Sequence, residues 1–326
     1  MANYPVISQE DVKVAYLGIP GSYSHQACSN TFPNGKYRGL LKFQDIIDDV
    51  YHAEVDYAIV PIENSTAGRV SEIYNLLPMV DLHIIGEYLM TIHHSLMVPS
   101  PAYRGKLPRE MSQEDALKWK KSPLSEEEKE FARRNITEVQ SHPQALMQCA
   151  SYIHETLPKA KTVEAFDTAT AARALAKEKR TTIAAIASAQ AADIYNMLIL
   201  DEQIEDNTQN MTRFLVLSRE PLREREVTTP AITTILFQTA HQPGSLLKAL
   251  EAFAAHGVNL TKLETYMVSQ EKPLPRFYVD VGGSIWEKNM KAALRDFKKC
   301  TASYNILGCY PASPDRARDN SFLMPE

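Results

Sequence analysis

The sequence lacks the features that would point to a membrane, secreted or nucleic-acid-binding protein. No uninterrupted apolar run approaches the roughly 20 residues that a membrane-spanning helix needs. The N-terminal stretch MANYPVISQEDVK has neither a basic start nor an apolar core, so we expect no secretory signal. The net charge is −5, and we therefore expect no basic field that would attract nucleic acid or an anionic membrane surface.

Cysteine is also scarce. The four cysteines are Cys28, Cys149, Cys300 and Cys309, and none of them forms a C-x-x-C pair. Their spacing offers no zinc site, and we expect neither a metal nor a cofactor. In a chain of this length without a signal, free thiols in a reducing compartment are the better interpretation, which predicts a cytoplasmic protein.

The remaining composition is that of an ordinary globular protein. Hydrophobic residues make up 44% and charged residues 23% of the 326 residues. This length is enough for two or three domains, each with its own core.

The first two thirds of the chain alternate strand and helix patterns. Buried strands are predicted at residues 13–18, 58–62, 82–85, 95–98, 136–139, 162–165, 182–187 and 213–217. Helical patterns lie between several of them, with Asp167 as one predicted N-cap. The alternation predicts an α/β region with a mainly parallel sheet covered by helices. Residues 100–135 interrupt the rhythm and are interpreted as an insertion, in which Ser125 and Glu128 have capping-box spacing.

The C-terminal part follows a different order. After a charged linker, residues 231–310 read strand, helix, strand, strand, helix, strand, which is the ferredoxin-like βαββαβ arrangement. Pro243 is predicted to start the first helix and Gly257 to end it. Residues 312–326 are predicted to be a loose polar tail.

Eight segments, in chain order, resemble one enzyme family. They are GIPGSYSHQA, DYAIVPIENSTAGRV, IHHSLMV, SHPQALMQC, DTATAARALA, AAIASAQAA, NMTRFLVL and HQPGSLLKALEAFAAHGVNLTKLE. The first seven are similar to prephenate dehydratases, and the eighth is similar to the amino-acid-sensing ACT regulatory domain.

This resemblance implies a fold and a domain organisation. The catalytic region would span residues 12–222 as two α/β lobes similar in plan to periplasmic ligand-binding proteins, with the active site in the cleft between them. One lobe would contain residues 12–90 and 190–220, and the other residues 91–189. The ACT domain would span residues 230–311 and join the chains into a homodimer or homotetramer.

The resemblance also implies the activity. The enzyme would convert prephenate to phenylpyruvate, water and carbon dioxide in L-phenylalanine biosynthesis, under feedback regulation by L-phenylalanine. Aromatisation drives this reaction, so no redox cofactor or metal is needed. Two alternatives stay open: arogenate, with an amino group in place of the ketone, as the substrate, or a non-catalytic amino-acid sensor.

The motifs carry the candidate catalytic residues. Arg213 is predicted to clamp a substrate carboxylate, because a guanidinium forms two parallel hydrogen bonds with a carboxylate. Thr212 is predicted to donate a hydrogen bond to the departing hydroxide. Asn64 lies in a polar loop after a strand, where α/β sheets place ligand loops. Gln144 matches a functional position of the family.

Further positions are predicted to bind ligands. The substrate-binding residues would be Gly21, Ser65, Thr66, His94, Ser188 and Phe214. A helix N-cap is an equal alternative for Ser188, and a packed histidine is an alternative for His94. The phenylalanine-binding residues would be Pro243, Gly244, Ser245, Leu246, Leu247, Asn259, Leu260 and Glu264.

The predicted effector site departs from the family at two motifs. Residues 244–247 read GSLL where GALV is common, and residues 264–267 read ETYM where ESRP is common. The strength and sign of regulation therefore stay open, and a dimerisation module without a ligand is the alternative.

Overall fold

A computed structural model describes residues 11–103, 122–267, 275–318 and residue 322. These residues form two compact units. The first unit comprises the described parts of Met1–Tyr16, Ala27–Met90 and Met211–Glu326, and the second those of Leu17–Gln26 and Thr91–Asn210.

Strands and helices alternate through most of the chain. The strands are β1 (Lys13–Leu17), β2 (Lys36–Leu40), β3 (Tyr57–Asn64), β4 (Gly68–Arg69), β5 (His83–Thr91), β6 (Ser95–Pro99), β7 (Glu138–Ser141), β8 (Lys161–Glu164), β9 (Ile183–Ala187), β10 (Met197–Glu202), β11 (Met211–Ser218), β12 (Ala231–Gln238), β13 (Leu260–Met267), β14 (Pro275–Gly282) and β15 (Ser303–Pro311). The α-helices are α1 (Tyr23–Thr31), α2 (Phe43–Tyr51), α3 (Ser71–Leu76), α4 (Ser100–Tyr103), α5 (Glu126–Asn135), α6 (Pro143–Gln148), α7 (Ala150–Thr156), α8 (Thr168–Leu175), α9 (Ala189–Tyr195), α10 (Ser245–Ala254) and α11 (Lys288–Cys300).

The first unit contains a mixed sheet with the strand order β2-β1-β3-β11-β5. β1 and β3 are parallel, but β11 runs antiparallel to β3, so this sheet contains a reversed strand that the prediction of a mainly parallel sheet did not include. β11 is the strand on which the chain returns from the second unit. Its antiparallel register sets Thr212 directly opposite Asn64.

Residues 231–311 of the same unit form the predicted βαββαβ arrangement. Its sheet is antiparallel, with the strand order β13-β14-β12-β15. Its core contains the rings of Phe237, Phe253, Phe277 and Phe297, with centroids 4.7–5.0 Å apart in the contacting pairs. The predicted order is confirmed, although α10 begins at Ser245 rather than Pro243 because Gly244 takes the N-cap position.

The second unit contains a mixed sheet with the order β10-β6-β9-β7-β8. β10 was not predicted, and it pairs with β6, so residues 190–210 belong to this unit and not to the first lobe. The capping box of Ser125 and Glu128 and the N-cap at Asp167 are confirmed. Residues 104–121 of the predicted insertion lie outside the described residues.

Three further predictions can be compared with the structure. All four cysteines are free, as expected. The described helices include none long and apolar enough to cross a bilayer. The prediction of a loose tail is wrong at Ser313, Arg316 and Phe322, because all three are buried.

Gly308 of β15 lies against the backbone of β5. A Cβ atom at this position would lie 2.1 Å from the carbonyl oxygen of Ile84, well inside van der Waals contact. Glycine is therefore required because backbone meets backbone here, and not because of an unusual φ angle.

We predict that Gly308→Ala destabilises the protein by about 3 kcal/mol or more, since a backbone atom must shift to admit the methyl group. Gly257→Ala is the matched control. That position has open space around it and a φ of +66°, so only backbone strain of about 1–2 kcal/mol is expected. Urea unfolding of both variants measures the loss in free energy of unfolding. A loss in Gly308→Ala equal to or smaller than that in Gly257→Ala would contradict the prediction.

Candidate active site

Asn64 and Thr212 form a hydrogen-bonded pair across β3 and β11. The side-chain amide of Asn64 donates to Thr212 Oγ1 at 2.9 Å and to the carbonyl oxygen of Met211 at 3.2 Å. Both side chains are partly exposed. Because Thr212 Oγ1 accepts a hydrogen bond here, its own O–H remains a donor that can point toward a bound molecule.

The loop after β3 fixes the orientation of Asn64. Asn64 Oδ1 accepts hydrogen bonds from the backbone N–H groups of Thr66 at 3.0 Å and Ala67 at 2.9 Å. Ser65 ties the loop to β11, because its N–H donates to the carbonyl of Met211 and its Oγ accepts from the N–H of Met211. Ser65 and Thr66 are exposed, so their predicted contact with a substrate stays a prediction.

Arg213 does not have the surroundings of a substrate clamp. The residue is 1% exposed, and its guanidinium donates to Glu87 at 2.7 Å, Asp280 at 2.6 Å and the hydroxyl of Tyr310 at 3.0 Å. Successive side chains on a strand point to opposite faces, so Thr212 and Arg213 could not both face one ligand. The clamp prediction is therefore corrected: Arg213 binds carboxylates of the protein itself.

Glu87 completes this buried network. Its carboxylate also accepts hydrogen bonds from the N–H of Ser313 and, at 2.5 and 2.7 Å, from the guanidinium of Arg316. Burial alone would raise the pKa of Glu87, but Arg213 and Arg316 outweigh it and lower the pKa to about 2. Burial alone would likewise lower the pKa of Arg213, but the carboxylates of Asp280 and Glu87 raise it well above its ordinary value.

Phe214 is a core residue. It follows the irregularity in the β3–β11 register and is 1% exposed. The predicted contact with the substrate is corrected because the ring is covered by the protein.

Ser188 and Gly21 pack two segments of the second unit together. Ser188 is 1% exposed, and its hydroxyl donates to the carbonyl of Gly21 at 2.7 Å and accepts from the N–H of Ala191 as the N-cap of α9. A Cβ at position 21 would lie 2.9 Å from the Cα of Ala191, and the φ of Gly21 is +86°. Close packing therefore explains both residues, and the prediction that they bind substrate is corrected.

His94 belongs to a buried polar network. Its Nδ1 lies 2.6 Å from the hydroxyl of Tyr23, its Nε2 lies 2.9 Å from Gln148 Oε1, and its backbone N–H donates to Glu205. Burial lowers the pKa of His94, which favours the neutral ring. Since both ring nitrogens have protein partners, the predicted substrate contact is replaced by the packed-histidine alternative.

Gln144 lies in the first turn of α6. Its side chain is half-buried, and its backbone N–H donates to the Nδ1 of His142, the N-cap of that helix. These contacts leave its predicted catalytic role untested.

The predicted effector residues fall into separate groups. Pro243, Gly244 and Leu247 are exposed at the start of α10, which follows the end of β12. Asn259 is exposed just before β13, and Leu260 pairs with Val281 near the other end of the sheet. Leu246 and Leu260 also pack against the core of this domain. Within one chain, the two exposed groups therefore lie toward opposite ends of the sheet.

Glu264 forms one ion pair with β4 and one within its own strand. Its carboxylate lies 3.6 Å from Arg69 Nη1 and 3.3 Å from Lys262 Nζ. Arg69 also donates to the carbonyl of Thr265 at 2.6 Å. The contacts of Arg69 therefore link β13 to β4, which follows the Asn64 loop.

Sequence reasoning missed the acidic partners of Arg213. Glu87 is the only charged residue between residues 84 and 91, and Asp280 is the only one between residues 277 and 282. A lone carboxylate inside an otherwise apolar or uncharged strand signals a buried ion pair, because an unpaired charge there would be costly. Among the described residues, no three His, Cys, Asp or Glu side chains form a group that could hold a metal ion.

Comparison with known proteins identifies the family. The prephenate dehydratase family matches residues 14–222. A bifunctional N-acyl-homoserine lactone acylase/prephenate dehydratase from Komagataeibacter europaeus is 34% identical over 306 residues, covering 94% of this chain and 98% of that protein. Arogenate dehydratase/prephenate dehydratase 1 from Arabidopsis thaliana is 33% identical over 316 residues, covering 92% and 72%. The crystal structure of a prephenate dehydratase from Arthrobacter aurescens in complex with L-Phe is 26% identical, with a TM-score of 0.75, covering 93% and 91%.

The fold and these matches define the class: the chain is an α/β dehydratase enzyme with a small additional C-terminal domain. It belongs to the prephenate dehydratase family.

We predict that Glu87→Gln reduces the stability of the protein at neutral pH by on the order of 3 kcal/mol, because the ionised carboxylate is preferentially stabilised in the folded state. The folded pKa of about 2 lies below the ordinary value of 4.5. This contribution is therefore complete above about pH 5 and is lost as the pH falls toward 2. The difference in free energy of unfolding between the wild type and Glu87→Gln should therefore become smaller as the pH falls over that range.

Urea unfolding at pH 7, 4.5 and 3 measures this difference. Asp11→Asn is the control, because its ion pair with Lys36 is largely exposed. An equal difference between wild type and Glu87→Gln at all three pH values would contradict the assignment.

Proposed function

We propose that the chain catalyses the decarboxylating dehydration of prephenate to phenylpyruvate in L-phenylalanine biosynthesis. The observation that carries the proposal is the hydrogen bond between Asn64 and Thr212, which leaves a directed hydroxyl donor on a partly exposed strand of a prephenate dehydratase family member.

The reaction needs one proton. As the ring carboxylate leaves as carbon dioxide, the electron pair of its bond to the ring moves into the ring. The pair of the ring C–O bond leaves with the hydroxyl group, which takes up a proton and departs as water. Loss of these two groups makes the ring aromatic. The enzyme must therefore stabilise the transition state, in which negative charge develops on the departing oxygen, more strongly than it stabilises the bound substrate.

Thr212 meets this requirement as a hydrogen-bond donor. Full proton transfer from an alcohol is unfavourable, so the proton comes from solvent or from another donor, while the Thr212 O–H stabilises developing charge on oxygen. Asn64 holds Thr212 Oγ1 in place. Ser65 and Thr66, in the loop that follows Asn64, are proposed as further polar contacts for a substrate carboxylate.

We propose that residues 230–311 form an ACT domain that binds L-phenylalanine. The βαββαβ order supports this assignment, as does the relative that was crystallised with L-Phe. Leu260 pairs with Val281 of β14, and Phe237 pairs with Phe277, four residues earlier on the same strand. At about 3.3 Å per residue, these two levels of the sheet are roughly 13 Å apart. A site using both predicted groups therefore requires two chains, which supports a homodimer or a homotetramer built from such pairs. The free cysteines support a cytoplasmic location.

The direct test is to mix the purified protein with prephenate and to measure phenylpyruvate with and without L-phenylalanine. We expect product formation that decreases when the effector is added. Arogenate, assayed in parallel, decides the substrate: turnover equal to or better than that of prephenate would overturn the prephenate assignment. Binding of L-phenylalanine without any product from either substrate would support the sensor alternative.

A second candidate activity is hydrolysis of N-acyl-homoserine lactones. The Komagataeibacter europaeus relative carries both activities in its name and aligns over 98% of its length. The assay is release of homoserine lactone from an acylated substrate. If the two activities share one site, Thr212→Ala lowers both, whereas acylase activity that survives this substitution would place hydrolysis elsewhere.

We predict that Thr212→Ala lowers kcat about 10²- to 10³-fold and raises KM much less, since the hydroxyl acts on the leaving group in the transition state. Thr212→Ser should keep most of the activity. Thr137→Ala, at an exposed position of the second unit, is the control. Steady-state kinetics with prephenate measure the effect, and an unchanged kcat in Thr212→Ala would remove Thr212 from the mechanism.

A further inference from the structure

Two neighbouring residue pairs of the β3–β11 ladder differ in what they face. Asn64 is paired with Thr212, and the next pair is Glu63 with Arg213. Directly opposed residues of an antiparallel ladder share a face, and adjacent pairs point to opposite faces. The charged pair therefore lies directly behind the proposed catalytic pair.

The C-terminal sheet presents a matching charged pair. Lys262 on β13 is paired with Asp280 on β14 in the register of that sheet. Lys262 Nζ lies 2.7 Å from Glu63 Oε2, and Arg213 Nη1 lies 2.6 Å from Asp280 Oδ2. Each charge of one sheet thus meets the opposite charge of the other. We call Glu63, Arg213, Lys262 and Asp280 the charge clasp.

The charge clasp is shielded from water. The side chains of Arg213 and Asp280 are 1% and 0% exposed, and those of Lys262 and Glu63 are 10% and 19% exposed. Charges in such surroundings interact strongly and are costly to leave unpaired. The clasp therefore fixes the position of the C-terminal sheet against this part of β3 and β11.

Surrounding residues hold the Arg213 half in one geometry. Thr234 donates to Asp280 Oδ1 at 2.6 Å, and the hydroxyl of Tyr310 contacts both Thr234 and Arg213. Glu87 binds a second edge of the guanidinium. Thr234, Asp280 and Tyr310 lie on β12, β14 and β15 of the C-terminal sheet, whereas Glu87 lies on β5, next to β11. A shift of the C-terminal sheet would therefore break the bonds of Arg213 to Asp280 and Tyr310.

We propose that the charge clasp positions the catalytic pair, so that Glu63, Arg213, Lys262 and Asp280 are positioning residues through which the C-terminal sheet sets kcat. Arg213 directly follows Thr212 in the chain, and Glu63 directly precedes Asn64. A shift of either clasp residue therefore moves its neighbour in the catalytic pair. A small misplacement of a catalytic group lowers the rate without removing substrate contacts. This proposal rests on the proposed function.

The test reverses the more exposed ion pair. We expect Glu63→Lys and Lys262→Glu, each alone, to lower kcat for prephenate at least tenfold while KM changes less than threefold. The double variant, in which the charges are exchanged, should recover kcat to within about threefold of wild type. Asp296→Asn is the control, because it breaks an ion-pair cluster of the same domain with His256 and Lys299, away from the clasp.

Kinetics are measured below the unfolding transition of every variant, and circular dichroism gives the folded fraction. Wild-type kcat in either single variant, a loss that only follows the folded fraction, or no recovery in the double variant would overturn the proposal. If the wild-type protein forms no phenylpyruvate, the proposed function itself fails and the clasp proposal falls with it. An active wild type with fully active single variants overturns the clasp alone.

Discussion

The guanidinium of Arg213 is the group around which the first unit is organised. It is buried, it cannot lose its charge, and it is held by two carboxylates that come from different sheets. Removing either carboxylate would leave a charge without its partner in a place with almost no water. β11, β5, the C-terminal sheet and residues 313–316 therefore have to be assembled together.

This arrangement separates positioning from chemistry on one strand. Thr212 and Arg213 are neighbours in sequence, but the pleat of β11 turns one toward the partly exposed face and the other into the interior. The hydroxyl can act on a ligand because it is paired only with the amide of Asn64, a neutral donor. The guanidinium does not face a ligand, because it is buried and each of its three nitrogens donates to an acceptor of the protein. One strand can thus carry a hydroxyl donor on its partly exposed face and a buried ion pair on the opposite face. The ion pair can then hold the strand in place without contacting a substrate.

Much of the fold followed from local patterns, and the contacts of the site did not. The capping box at Ser125, the cap at Asp167 and the βαββαβ order depend on residues close together in sequence, so spacing predicts them. The two carboxylate partners of Arg213 lie 126 and 67 residues away in sequence, and nothing in the segment NMTRFLVL predicts which residues they are. Motif membership was therefore a good guide to location, but it could not distinguish a residue that binds substrate from one that binds protein.

The alternation of β11 places Thr212 and Arg213 on opposite sides of the sheet, and the burial of Arg213 then assigns it to the interior. The same distinction orders the rest of the candidate site. Ser188, Gly21 and His94 are buried among residues of the second unit, whereas Asn64, Ser65, Thr66 and Gln144 are at least partly exposed.

The split of the predicted effector residues leads to a requirement for a second chain. A free amino acid is shorter than the roughly 13 Å that separates the level of Leu260 from that of Phe237 along the sheet. If both groups contact one effector, as we propose, the second group must come from a neighbouring copy. Effector binding would then hold two C-terminal sheets together. Because each C-terminal sheet is joined to β3 and β11 of its own chain through Lys262 and Asp280, a change at that shared site would reach Asn64 and Thr212 in both chains.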